Sequence, residues 1–88
     1  MVYQAVPGLL WVQEAGGILV VNPATGAAQT LSGQAAAVWD WLNSGHPGAE
    51  VARLLALTYD LAEPEAQAAL EHWVRQWQAE GLVEATPD

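Results

Sequence analysis

Two short apolar runs, Leu9-Leu10-Trp11-Val12 and Ile18-Leu19-Val20-Val21, are each closed at once by turn-forming residues. Runs this short, rich in strand formers and bounded by Gly, Pro and Asn, read as strands. Glu14-Ala15-Gly16-Gly17 supplies the first turn. Asn22-Pro23-Ala24-Thr25-Gly26 supplies the second, where Pro fixes φ and Gly accepts a positive φ. A third run, Ala28-Gln29-Thr30-Leu31, alternates and ends at Ser32-Gly33. The pattern predicts strands over about residues 9–13, 18–22 and 28–31, joined as an antiparallel meander. A sheet this small is marginal alone and must lean on helices.

After Ser32 the apolar residues recur at a period of about 3.6. Ala35, Val38, Trp39 and Leu42 mark one helix, predicted over 33–43. Ser32 is its expected N-cap, without a capping box, because Ala35 stands where Glu or Gln would be needed. Val51, Leu54 and Leu55 mark a second helix over 48–59. Ala66, Leu70, Trp73, Val74 and Trp77 mark a third over 64–80, with Pro64 in its first turn and Gly81 at its end. Leu82 and Val83 are expected to fold back onto the core, and the tail from Glu84 to Asp88 to fray. Strands first and helices after, in separate blocks, make an α+β fold.

Charge then narrows the function. The chain has 88 residues, ten acids and two basic side chains, giving a formal net charge of -8. Nucleic acid is bound mainly through Lys and Arg, so it is close to excluded as a partner, and an anionic membrane is disfavoured for the same reason. There is no cysteine, hence no disulfide, thiolate metal site or Cys nucleophile. The N-terminus lacks a basic n-region, and no apolar run approaches the ~20 residues that cross a bilayer. A cytoplasmic protein of one domain is expected.

Little in the sequence speaks for catalysis. His46 lies in a Gly/Pro loop, and His72 has Arg75 and Gln76, not ligands, at i+3 and i+4. No metal site and no cofactor site is expected. Glu63 and Glu65 suit the start of a helix, and Glu71 and Arg75 are spaced for a surface ion pair. No glycine pattern forms a phosphate cradle, and neither Ser32 nor Ser44 sits in a nucleophile motif. The unusual component is tryptophan: Trp11, Trp39, Trp41, Trp73 and Trp77. A core this small cannot enclose five indoles. Trp39 and Trp77 are assigned to it, while Trp41 and Trp73 are candidates for reachable aromatic anchors. The strand at 28–31 has no charge, Pro or Lys to block its edge, as a docking edge for an added strand would require.

Taken together, GILVVNPATGAAQTLSGQAAAVWDWL, AEVARLLALTYD and the ending Trp77-Gln78-Ala79-Glu80-Gly81-Leu82-Val83 resemble PqqD-like proteins over about residues 8–83. Trp77 stands where the family has Leu. The resemblance rests on order and spacing, since no single motif is specific. It implies a winged helix-turn-helix-like fold, a three-stranded sheet followed by three helices. It implies a non-catalytic domain that binds the leader segment of a ribosomally made precursor peptide and presents it to a modifying enzyme, such as a leader peptidase, a cyclase or a radical SAM protein. By position, the leader would add to Ala28, Gln29, Thr30 and Leu31 and lie against Ala66, Ala69, Leu70, Trp73 and Trp77. Such domains work in pyrroloquinoline quinone and lasso-peptide pathways. The open edge also offers a route to a homodimer by strand exchange. Three alternatives stay open: a generic protein-interaction subunit, an acyl or peptidyl carrier using Ser44, and a winged-helix DNA binder, which the charge opposes.

Overall fold

The computed structural model describes residues 2–87. Eight elements follow in order: β1 (Val2–Ala5), β2 (Leu10–Glu14), β3 (Gly17–Asn22), β4 (Ala27–Leu31), α1 (Gln34–Asn43), α2 (Gly48–Tyr59), α3 (Glu63–Ala79) and β5 (Val83–Thr86). Strands β2, β3 and β4 form the antiparallel meander that the turn residues dictate, in the order β2-β3-β4. The α+β class, with a three-stranded sheet followed by three helices, is as expected from the sequence, with an additional strand pair.

Register decides which face of the sheet is buried. Ile18 stands opposite Leu31, and Val20 opposite Trp11 on one side and Gln29 on the other. Ile18, Val20 and Leu31 are buried, so this is the inner face. It meets Val38, Trp39 and Leu42 of α1, Val51 and Leu55 of α2, and Ala66, Leu70, Val74 and Trp77 of α3 in one core cluster. Leu82 and Val83 close that core from below, as the apolar pair after Gly81 suggests. By alternation, Leu10, Val12, Ala28 and Thr30 face outward and are exposed.

Two expectations are corrected. The residues 84–86 do not fray: β5 pairs with β1 in the register Val2↔Thr86 to Ala5↔Val83. Asp88 lies outside the described residues. The pair is held further by Val6 N–H to Leu82 C=O at 3.0 Å and by Ala5 N–H to Asn43 Oδ1 at 2.8 Å. Asn43 Nδ2 also donates to Trp39 C=O at 2.9 Å, so its amide ties the end of α1 to β1. The second correction is the cap of α1, which is Gly33 rather than Ser32, at φ 59° and with no side-chain capping bond. A positive φ at that position favours glycine over serine.

Gly17 opens β3 under a tight constraint. Its φ is 153°, and a Cβ there would overlap the Leu31 carbonyl across the β3–β4 ladder. Gly17→Ala is expected to cost about 3 kcal/mol in urea unfolding, because both the backbone angle and the close approach resist a side chain. A loss below about 1 kcal/mol would show that the ladder end relaxes around the methyl group.

Candidate functional site

The meander leaves two strands with one unpaired edge each, β2 and β4. Their surroundings differ. The inner-face residue Gln29 of β4 donates from Nε2 to Glu80 Oε2 at 3.2 Å, and Glu80 is the C-cap of α3. That bond fixes which flank of α3 looks toward β4. Ala69, Trp73, Gln76 and Glu80 recur at spacings of four, three and four, so they share one face of the helix. Gln67, Glu71 and Gln78 lie on the other flank, where they line a cavity with Tyr3 and Gly48. The β4 edge and the flank Ala69-Trp73-Gln76-Glu80, which meet at Glu80, thus bound a candidate groove. At its lower end is a cleft of about 190 Å³, lined by Val20, Ala27, Ala28, Gln29, Glu80 and Leu82.

The expected contact residues divide by burial. Ala28 and Thr30 are exposed on the outer face, Gln29 is half-buried toward the groove, and Leu31 is buried. On α3, Ala69 and Trp73 are half-buried and reachable. Ala66, Leu70 and Trp77 are 0%, 3% and 0% exposed, so they form the core beneath the groove and offer a ligand no surface. Gln76 and Glu80 complete the reachable flank and were not singled out from the sequence. The signal for them was present: Glu80 lies at i+7 from Trp73, two turns along the same face.

The tryptophans are linked through the core. Trp73 stacks on Trp77 with centroids 5.9 Å apart, Trp77 meets Trp39 edge to face at 5.3 Å, and Trp39 meets Trp11 edge to face at 5.6 Å. Trp11 sits on β2 and is 43% exposed, and Trp41 is half-buried. The expected core positions of Trp39 and Trp77 are observed, both at 0% exposure. Their buried indole N–H groups have no hydrogen-bond acceptor among the described residues. Edge-to-face rings set a positive edge on a negative face, which offsets part of that loss.

The remaining polar residues do not converge. Glu71 accepts from Gln67 Nε2 at 3.2 Å, and no Glu71–Arg75 ion pair is formed among the described residues. His46 Nδ1 pairs with Glu50 Oε1 at 2.9 Å at the start of α2. His72 rests edge to face on Trp73 at 5.0 Å. Among the described residues no group of three or more His, Asp or Glu is placed to hold a metal ion. Among the described residues no helix is long and apolar enough to cross a membrane.

The family model of coenzyme PQQ synthesis protein D (PqqD) matches residues 17–83, from the first residue of β3 to the first of β5. The chain belongs to the PqqD family. Its PqqD-family fold is similar to two solved structures. One is lasso peptide synthetase B1 complexed with the leader peptide, at 21% identity and a TM-score of 0.89, over 97% of this chain and 100% of that one. The other is TbiB1 in complex with the TbiA(beta) leader peptide, at 16% identity and a TM-score of 0.88, over 97% of this chain and 99% of that one. At these identities the likeness establishes the fold. No curated protein sequence matches the chain.

Proposed function

We propose that this PqqD-family chain acts, as a single cytoplasmic domain, by capturing the leader segment of a ribosomally made precursor peptide. The leader adds as a strand to β4, lies in the groove against Ala69 and Trp73, and is presented to a modifying enzyme of the leader peptidase, cyclase or radical SAM class. The domain itself performs no chemistry. The observation that carries this reading is the unpaired β4 edge, which the Gln29–Glu80 bond places beside the end of α3, with the half-buried Trp73 two turns back on the same helix face. The two structural relatives, both described as leader-peptide complexes, support it.

The physics suits such a task. Main-chain bonds along β4 give a grip that tolerates sequence, and side chains alternating into the groove give selection. About five paired residues with two or three buried anchors reach micromolar to nanomolar affinity once ordering costs are subtracted. The net charge of -8 steers basic or neutral leaders toward the domain. Pairing of two copies through β4 would occupy the same groups, so a homodimer of that kind competes with the leader.

Particular residues weigh against the alternatives. The basic side chains Arg53 and Arg75 stand on different helices, too few for phosphate binding. Ser44 caps the end of α1, its hydroxyl donating to Asp40 C=O at 2.8 Å, whereas a carrier serine opens the following helix. An NMR titration tests the proposal. A leader peptide is expected to shift the amides of Ala28 to Leu31 and the Trp73 indole. Shifts confined to Leu10, Trp11 and Val12 would instead place the ligand on the opposite edge and overturn it.

A further inference from the structure

Glu80 occupies an electrostatically unfavourable place. It caps the C-terminal end of α3, where the helix macrodipole is already negative, and no basic residue lies in the last turn. Among the described residues its carboxylate has no cationic partner. It accepts a hydrogen bond from the neutral Gln29 amide, across the mouth of the groove. Arg75 is five residues back on the helix, about 140° round from Glu80, and lines cavities with Glu71 and Gln78 on the far flank and with His72 and Gln76 on the outward face, neither of which includes Glu80. Arg53 is exposed on α2. The groove wall at this end is otherwise apolar, from Val20, Ala27, Ala28 and Leu82. A carboxylate standing at the rim of an apolar cleft, beside a negative helix end, is a site for one cation.

Resting on the leader-binding reading, we propose that the captured segment carries a lysine or arginine at the inward-facing position opposite Gln29, and that Glu80 selects it. A strand added to β4 places alternate side chains toward α3, so one of them passes the Gln29–Glu80 bond. The long aliphatic stem of a basic side chain packs along Ala27 and Leu82 while its charge meets Glu80. Gln29 gives up a weak bond at an exposed site and its amide becomes free to bond the incoming strand. Specificity at this end thus comes from charge, and at the Trp73 end from apolar packing.

The experiment is selection of a phage-displayed library of about twelve random residues, long enough to span the groove. It is run on the wild-type domain, on Glu80→Lys and on Glu71→Lys, which changes net charge equally on the other flank. Binders are checked for shifts of the Ala28 to Leu31 amides. The expected result is Lys or Arg enriched at one fixed position with wild type and Glu71→Lys, and Asp or Glu at that same position with Glu80→Lys. A charge swap at that position in one synthetic binder should change Kd about tenfold in low salt, with the sign reversed in Glu80→Lys. Binders that shift the β4 amides but show no position-specific preference, or the same one in Glu80→Lys, overturn the role of Glu80 alone. If no selected peptide shifts the β4 amides, the leader-binding reading falls and this inference falls with it.

Discussion

Trp77→Ala is expected to strip the domain of about 3–5 kcal/mol of stability. Trp77 is fully buried on α3 and lies between two other indoles, Trp39 at 5.3 Å and Trp73 at 5.9 Å. Truncating a buried Trp to Ala costs about 3–5 kcal/mol in lost transfer and cavity formation. A chain of 88 residues has a total stability of roughly 4–13 kcal/mol, so the loss consumes a large part of it. The neighbours worsen the outcome, since the cavity lies where α1 and α3 meet and Trp39 loses a ring contact. Trp77→Phe separates ring from N–H. The Trp77 indole N–H has no acceptor among the described residues, so removing it strands no partner, and the cost should fall to about 1–2 kcal/mol. Thermal and urea unfolding followed by far-UV circular dichroism measure both. An alanine variant within about 1 kcal/mol of wild type would mean that the core closes over the missing ring.

The strands of the sheet and the three helices were legible because each carries its own local signal. Leu9 to Val12 and Ile18 to Val21 are too short for helices and are bounded by turn residues, while Val38, Leu42, Leu70 and Trp77 recur at helical spacing. The β1–β5 pair was not legible. Glu84, Ala85 and Thr86 have no apolar pattern, and their strand exists because Val2 to Ala5 pairs with them from the other end of the chain. Nonlocal pairing of that kind leaves no local trace. The candidate site was half legible. Periodicity shows which face of α3 is apolar, so it gave the core residues Ala66, Leu70 and Trp77 together with the flank residues Ala69 and Trp73. It cannot show where β4 comes to lie. Burial of Ala66, Leu70, Val74 and Trp77 orients the helix about its axis, and the Gln29–Glu80 bond shows that its end lies beside β4.

The opposite outcome from Trp77 is expected one turn earlier on the same helix, where Trp73→Ala should fold and fail to bind. Trp73 is half-buried, and its ring covers Trp77 from the groove side in a stacked pair tilted by 24°. Removing it uncovers one face of Trp77 to water and leaves no closed cavity, so the stability cost should be about 1 kcal/mol. Binding is another matter. A strand lying between β4 and α3 buries its inward side chains on that ring, and an aromatic anchor of this kind contributes about 2 kcal/mol or more to an interface. Calorimetry with a peptide that shifts the Ala28 to Leu31 amides should therefore show Kd raised about thirtyfold or more. Trp73→Phe should recover part of the affinity, because a smaller ring still fills the flank beside Ala69. The two variants together distinguish a binding residue from a structural one. If Trp73→Ala lost stability as heavily as Trp77→Ala, the stacked pair would be one core unit. If it kept both stability and affinity, the leader would be held by the β4 backbone alone and the α3 flank would play no part in selection.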